Sequence, residues 1–346
     1  MTVRGLTVSN RVWVSPMCQY SATDGLPNDW HLVHLGQFAT GGAGLVTTEA
    51  TAVTPAARIS PQDTGIWNDE QVTGWRRITD FLHTQGTPVA IQLAHAGRKA
   101  STLAPWKGRG TVPVEDGGWQ SVGPSEQPFG DYAAPRRLTE SEVAEIPGQF
   151  AQAARRSVRA GFDAIELHFA HGYLVHQFLS PLSNDRDDRY GGEFGNRVRL
   201  ALEIAEAVRS TVGQDFPVFV RISGTDWTEG GWTIEESVEL ATLLGERGID
   251  LIDTSSGGNV TNPRIPLGPG YQVPLAAQVR KESGLLTGAV GMITEAEQAE
   301  EIIASGAADV VFLARAMLRD PHWTQHAAET LGGKAYWPDQ YLRAAN

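Results

Sequence analysis

Three histidines, His168, His171 and His176, fall within 166-ELHFAHGYLVHQ-177, and the chemistry open to them is metal ligation, anion binding or packing. His168 closes an apolar run that reads as a strand and His171 follows in the turn, so both can converge on one ion, with His95 or Asp253 completing the set. His176, five residues beyond His171, is out of register with it on a helix and reads as packing. Against a metal stands Arg221, a permanent cation at the end of the following strand, which raises the cost of a second positive charge nearby.

The anionic alternative draws on 287-TGAVGMIT-294 and 312-FLARAM-317. Gly288 and Gly291 let backbone N–H groups approach a phosphate closely, and Arg315 offers a bidentate partner; taken alone, the glycines read equally as turn formers. Other donors suit a flavin. Gln92 carries donor and acceptor on one amide, matching the imide edge of an isoalloxazine. Arg221 would set positive charge where a reduced flavin develops negative charge. His168 and His171, as paired donors, would hold a carbonyl or nitro oxygen and polarise the adjacent C=C. Tyr173, with an ordinary pKa of about 10, would then supply a proton as hydride arrives at the other carbon.

Such residues act together only if a scaffold gathers them. Eight strand-like runs, 13-WVSPM, 45-LVTTEA, 88-PVAIQL, 164-AIELH, 217-PVFVRIS, 249-IDLIDTS, 286-LTGAV and 309-DVVFLA, read as continuous β-rich segments rather than alternating ones, as strands buried on both faces do. Helical patterns alternate with them at about 30–40, 69–85, 141–160, 196–210, 234–247, 273–282 and 294–305, with a last pair near 314–331. Thr294 and Glu297 read as a capping box opening the seventh. The alternation predicts an α/β fold, a single-domain (β/α)8 TIM barrel over 1–346, and no G-x-G-x-x-G follows an early strand. The stretch 96–140, rich in Gly, Pro and Trp, reads as an extended active-site loop capping the barrel after strand three, or as a variable insertion, and 322–346 as a C-terminal extension. Barrel chemistry lies at the C-terminal strand ends. Those ends deliver Cys18 and Tyr20, Glu49 and Ala50, Gln92 and His95, then His168, His171 and Tyr173, then Arg221 and Asp253. That set reads as rich in donors and poor in carboxylates.

Composition narrows the partners. The 346 residues are 41% hydrophobic, enough for one large core, and the formal charge is -12 with 28 scattered Lys and Arg, so nucleic acid and anionic membranes are poor partners. With no apolar run of eighteen residues and no signal-peptide core, the expectation is a cytoplasmic protein. A single cysteine, Cys18, excludes an internal disulfide and a cysteine-ligated iron cluster.

The residues resemble the old yellow enzyme family of FMN-dependent ene-reductases and NADPH dehydrogenases across essentially the whole chain. The resemblance is carried by 10-NRVWVSPMCQYS-21, 90-AIQLAHAGRKA-100, 164-AIELHFAHGYLVHQFLSPLSNDRDDRYGG-192, 218-VFVRIS-223, 287-TGAVGMIT-294 and 312-FLARAMLRDP-321. Cys18 with Tyr20 is similar to the thermophilic-like branch, whose cysteine contacts the flavin and tunes its potential. Asp188 and Arg189 stand where relatives often carry other polar residues. The resemblance implies noncovalent FMN, NADPH or NADH as donor, and ping-pong reduction of activated alkenes: enones, enals, maleimides or nitro compounds. Carried over by position, it implies that Ser15, Pro16, Met17, Cys18 and Ala50 surround FMN, with Gln92, Arg221, Gly291, Ala314 and Arg315 completing its site. It further implies that His168 and His171 bind the substrate, that Tyr173 is the proton donor, and that Tyr20 lines the pocket. Arg343 would reach a neighbouring subunit's site, which implies a homodimer or homotetramer. Dienoyl-CoA reductases share the barrel but need an iron–sulfur cluster and a further flavin domain, which one cysteine and 346 residues do not supply. Other readings are a metal-dependent hydrolase or lyase using His168 and His171, and a non-catalytic flavin-binding sensor.

Overall fold

A continuous β-rich strand without alternation needs cover on both faces, and in the computed structural model, which describes residues 1–345, eight such strands close on one another. They are β1 (Val12–Val14), β2 (Leu45–Ala52), β3 (Val89–Ala94), β4 (Ala164–Phe169), β5 (Val218–Ser223), β6 (Leu251–Ser255), β7 (Leu286–Val290) and β8 (Val310–Leu313). All neighbours are parallel and follow chain order, and β8 returns to β1. An α-helix follows each strand on the outside, from Asp29–Thr40 after β1 to Trp323–Thr330 after β8. The protein is a (β/α)8 barrel.

Register decides which side chains meet. Gln92 lies opposite Glu166, His168 opposite Arg221, and Arg221 opposite Asp253. A register shift between Thr47 and Ala50 bends β2 where it reaches the mouth. At the strand starts, Trp13 stacks on Phe219 and meets Phe312 edge-on, with Val3 and Val8 of the N-terminal hairpin packed beneath. That apolar plug closes the bottom, so chemistry is left to the other end.

Helix starts follow capping chemistry, but not at the position read from the sequence. Asn28 with His31, Asn68 with Gln71, Thr139 with Glu142 and Thr233 with Glu236 form reciprocal capping boxes. Thr294 does not: the helix Ala296–Ala304 has Glu295 as its N-cap without a side-chain bond. The Thr294 N–H donates instead to Gln298 Oε1, and its carbonyl accepts from Trp323 Nε1 at 2.9 Å, so the residue is tied up before the helix begins. The stretch 96–140 holds three 3-10 turns and a two-residue parallel pair, Val122–Gly123 with Arg136–Arg137. It is anchored by Arg58, whose guanidinium lies between the rings of Trp67 and Trp119. No helix among the described residues is long and apolar enough to cross a membrane.

Candidate active site

The turn after β4 builds the site's centre. His171 has φ +60° and Gly172 φ +71°, left-handed values that fold the chain back sharply over the mouth. Only glycine fits at 172, where a Cβ would lie 2.2 Å from the Gly258 carbonyl oxygen. The result brings three rings together: His168 meets His171 edge-on at 5.1 Å and Tyr173 at 5.0 Å between centroids. The Ala170 N–H donates to His168 Nδ1 at 3.3 Å, which puts that ring's proton on Nε2. His171 Nε2 is 2.7 Å from Ser255 Oγ, and the His171 N–H donates to Ser223 Oγ. Burial first, then the Arg221 charge, hold both histidines well below the usual imidazole range, so they are neutral N–H donors at physiological pH. Burial pushes the Tyr173 hydroxyl well up, with Cys18 and Tyr20 adding to it, so the phenol keeps its proton until a partner takes it.

One layer below, the interior carries charge that the strand-end reading understated. Gln92 Nε2 donates to Glu166 Oε1 at 2.7 Å, and Arg221 Nε sits 3.0 Å from Asp253 Oδ2. Glu49 and Asp63 lie buried nearer β1, with Glu49 Oε1 3.1 Å from His31 Nε2. The mouth is therefore not poor in carboxylates. They are tolerated because each is hydrogen-bonded or paired, and Glu166 escaped notice although it sits two residues before His168, on the same inward face.

Two cavities open beside this centre. One, of about 450 Å3, is lined by Ser255, Gln272, Gly291, Ala314 and Arg315 at the ends of β6, β7 and β8. Gly291 has φ +117°, and a Cβ there would strike Gln272 Nε2 at 2.6 Å. The glycine at 291 and the guanidinium groups of Arg315 and Arg319, which also lines this cavity, suit a phosphate. The other cavity, of about 560 Å3, is bounded by Tyr20 and Tyr173 on the barrel side and by Lys99, Leu103, Phe129 and Tyr132 of the 96–140 stretch on the other. Tyr20, at φ +50°, turns its ring edge-on to Trp106. Cys18 joins Tyr20 and Tyr173 around the small apolar cluster of Ala50, Ile59 and Ala94. Burial, then Asp63 and Glu49, raise its thiol pKa, so it stays protonated. Ser15 is buried, its N–H bonded to the Leu313 carbonyl, and Pro16 and Met17 follow it, half-buried, toward the mouth.

The sequence-predicted residues thus gather at the barrel mouth, save one. Arg343 lies exposed in the C-terminal turn Asp339–Ala344 and lines neither cavity. No group of three or more His, Cys, Asp or Glu among the described residues is placed to hold a metal ion. His176 is not mere packing. It is fully buried; its Nδ1 accepts the Gly172 N–H at 2.9 Å and its Nε2 lies 3.0 Å from Asp226 Oδ1. Asp226 also accepts from Ser180 Oγ and the Trp232 N–H, so the pair pins the His171–Gly172 turn from below. Sequence reasoning missed Lys99 as well, although it lies in the quoted 90-AIQLAHAGRKA-100. Its Nζ donates to the carbonyls of His171 and Gly258 at 2.8 Å each and stands 4.2 Å over the Phe129 ring. Burial, then Arg98, push its ammonium down to about 7.

A parallel barrel with a glycine-and-guanidinium cradle on one side of its mouth and paired neutral histidines beside a tyrosine on the other defines a cofactor-dependent barrel enzyme. The model of the NADH:flavin oxidoreductase / NADH oxidase family matches residues 1–333. The NADPH dehydrogenase of Listeria innocua is 46% identical over 345 residues, covering 99% of this chain and 97% of the relative. That of Halalkalibacterium halodurans is 44% identical over 344 residues, covering 99% and 96%. Among solved structures, morphinone reductase in complex with tetrahydroNAD superposes with a TM-score of 0.79 at 28% identity, over 98% of this chain and 91% of that one. The old yellow enzyme homologue from Zymomonas mobilis does so with 0.78 at 25% identity, over 97% and 93%. The chain belongs to the NADH:flavin oxidoreductase / NADH oxidase family, as a member of its old yellow enzyme branch.

Proposed function

We propose that this protein is an FMN-dependent NAD(P)H oxidoreductase that reduces activated C=C bonds in two alternating half-reactions. The observation that carries the reading is that the His171 and Tyr173 rings each meet His168 at about 5 Å, beside an open 560 Å3 cavity that Tyr173 lines. When bound, FMN accepts hydride from the nicotinamide and passes it to the alkene.

The chain's own residues do the rest. Arg315 and the backbone near Gly291 and Ala314 would hold the phosphate, Gln92 would hydrogen-bond the imide, and Arg221 would supply positive charge for the reduced flavin. Ser15, Pro16, Met17, Cys18 and Ala50 border the ring system. The neutral histidines donate N–H bonds to the substrate's carbonyl or nitro oxygen, drawing electron density from the alkene. Being uncharged, they strengthen as donors as negative charge develops there, without a buried cation to desolvate in the ground state. Tyr173 gives its hydroxyl proton to the carbon that does not receive hydride. Tyr20 and the 96–140 stretch exclude water from the pocket.

The proton role is testable by Tyr173→Phe with each half-reaction followed separately by rapid mixing. Reoxidation by cyclohexenone slows by about 10²-fold or more, while reduction by NADPH changes little. Equal slowing of the two contradicts the role.

A further inference from the structure

Beneath the mouth, two buried carboxylates lie close to Arg221, which is paired with Asp253 and is the one cation among the described residues that acts on Glu166. Glu166 and Asp253 are wholly buried and Arg221 is 6% exposed. Asp253 Oδ2 takes the Arg221 ion pair and Glu166 Oε1 takes the Gln92 amide. The remaining oxygens, Glu166 Oε2 and Asp253 Oδ1, have no hydrogen-bond partner among the described residues. The charged groups acting on Glu166 are Asp253 from β6 and Arg221 from β5, while β3 contributes the neutral Gln92; His168, two residues along β4, is also neutral.

Two ionised carboxylates against one guanidinium leave a net negative charge in a low-dielectric interior, with two unsatisfied acceptors besides. A single added proton neutralises the cluster and turns one unpartnered acceptor into a donor. We propose that Glu166 and Asp253 share one proton in the resting protein and act as positioning residues, fixing the Gln92 amide and the Arg221 guanidinium and setting the net charge beneath the cofactor. Burial, reinforced by the Asp253 charge, pushes Glu166 up; burial pushes Asp253 up against the pull of Arg221. The consequence for a flavin rests on the function proposed above, whereas the shared proton does not. Losing that proton at alkaline pH adds a negative charge beside Arg221, which opposes the charge of a reduced flavin and lowers its potential.

Infrared spectra at neutral pH test the proton directly. The wild type shows a protonated-carboxyl C=O stretch that disappears in Glu166→Gln. It disappears also in Asp253→Asn, because the lone carboxylate then ionises against Arg221. Any component from buried Asp63, whose carboxyl burial likewise raises, is common to the wild type and both variants and cancels in their difference spectra. A wild-type-minus-variant difference spectrum that lacks the C=O band for either variant overturns the proposal. On the flavin-loaded protein, the midpoint potential falls more steeply with pH above neutrality in the wild type than in Glu166→Gln; equal slopes overturn the electrostatic role. Protein that binds no flavin refutes the function and leaves the infrared result standing.

Discussion

At the scale of single residues, the site is a set of polar groups kept in one protonation state by their surroundings. Neutral histidines follow from burial beside one guanidinium, whereas a protonated tyrosine and a protonated thiol follow from burial among acidic neighbours. Asp226 is the opposite case. Burial pushes its carboxyl up, but the His176 ring, the Ser180 hydroxyl and the Trp232 N–H outweigh that and hold it at about 2, below the ordinary 3.8. A depressed carboxyl stabilises the fold above its unfolded value and loses that contribution as pH falls through the folded one. The wild type should therefore lose about 2 kcal/mol more than Asp226→Asn between pH 4 and pH 2, measured by denaturant unfolding at each pH. Parallel losses would show that the pair does not stabilise the turn. His168, His171 and Tyr173 were legible from sequence because they end one strand together. His176 was not, because its partner lies fifty residues away and nothing local marks the pairing.

Among elements, the turns after β4 and β6 press together, and their fit depends on the absence of side chains. Gly172→Ala would put a methyl 2.2 Å from the Gly258 carbonyl at φ +71°, so unfolding stability should fall by about 2 kcal/mol or more. Gly195→Ala, in a short helix with open space around it, should be neutral or slightly stabilising. Similar losses at both sites would contradict the close approach. The eight strands could be read from the sequence because burial on both faces leaves a continuous β-rich run rather than an alternating one. Capping was less legible. The Thr-x-x-Glu spacing recurs at Thr139, Thr233 and Thr294, yet only the first two cap, since tertiary bonds from Gln298 and Trp323 claim the third. The 96–140 stretch announced its place over the mouth by length and composition. Its turns, held by contacts such as Arg58 between two tryptophans, could not be read locally.

For the whole molecule, one end of the barrel is plugged by aromatics and the other opens onto two cavities that flank the His168, His171 and Tyr173 centre. Arg343, exposed beyond the last helix, enters this scheme only if a second copy brings it to the mouth. Arg343→Ala should then raise KM for the alkene roughly tenfold with little change in kcat, in protein that sediments as an oligomer; unchanged KM, or full activity as a monomer, would remove it from the site. A flavin held in the barrel mouth would carry electrons from nicotinamide to an alkene, and the absorption spectrum of the purified protein before and after anaerobic NADPH, then cyclohexenone, reads this directly. The protein should be yellow, with a flavin band that bleaches with NADPH and returns with the enone. Colourless protein that takes up no FMN, or a band that NADPH leaves unchanged, would contradict that role.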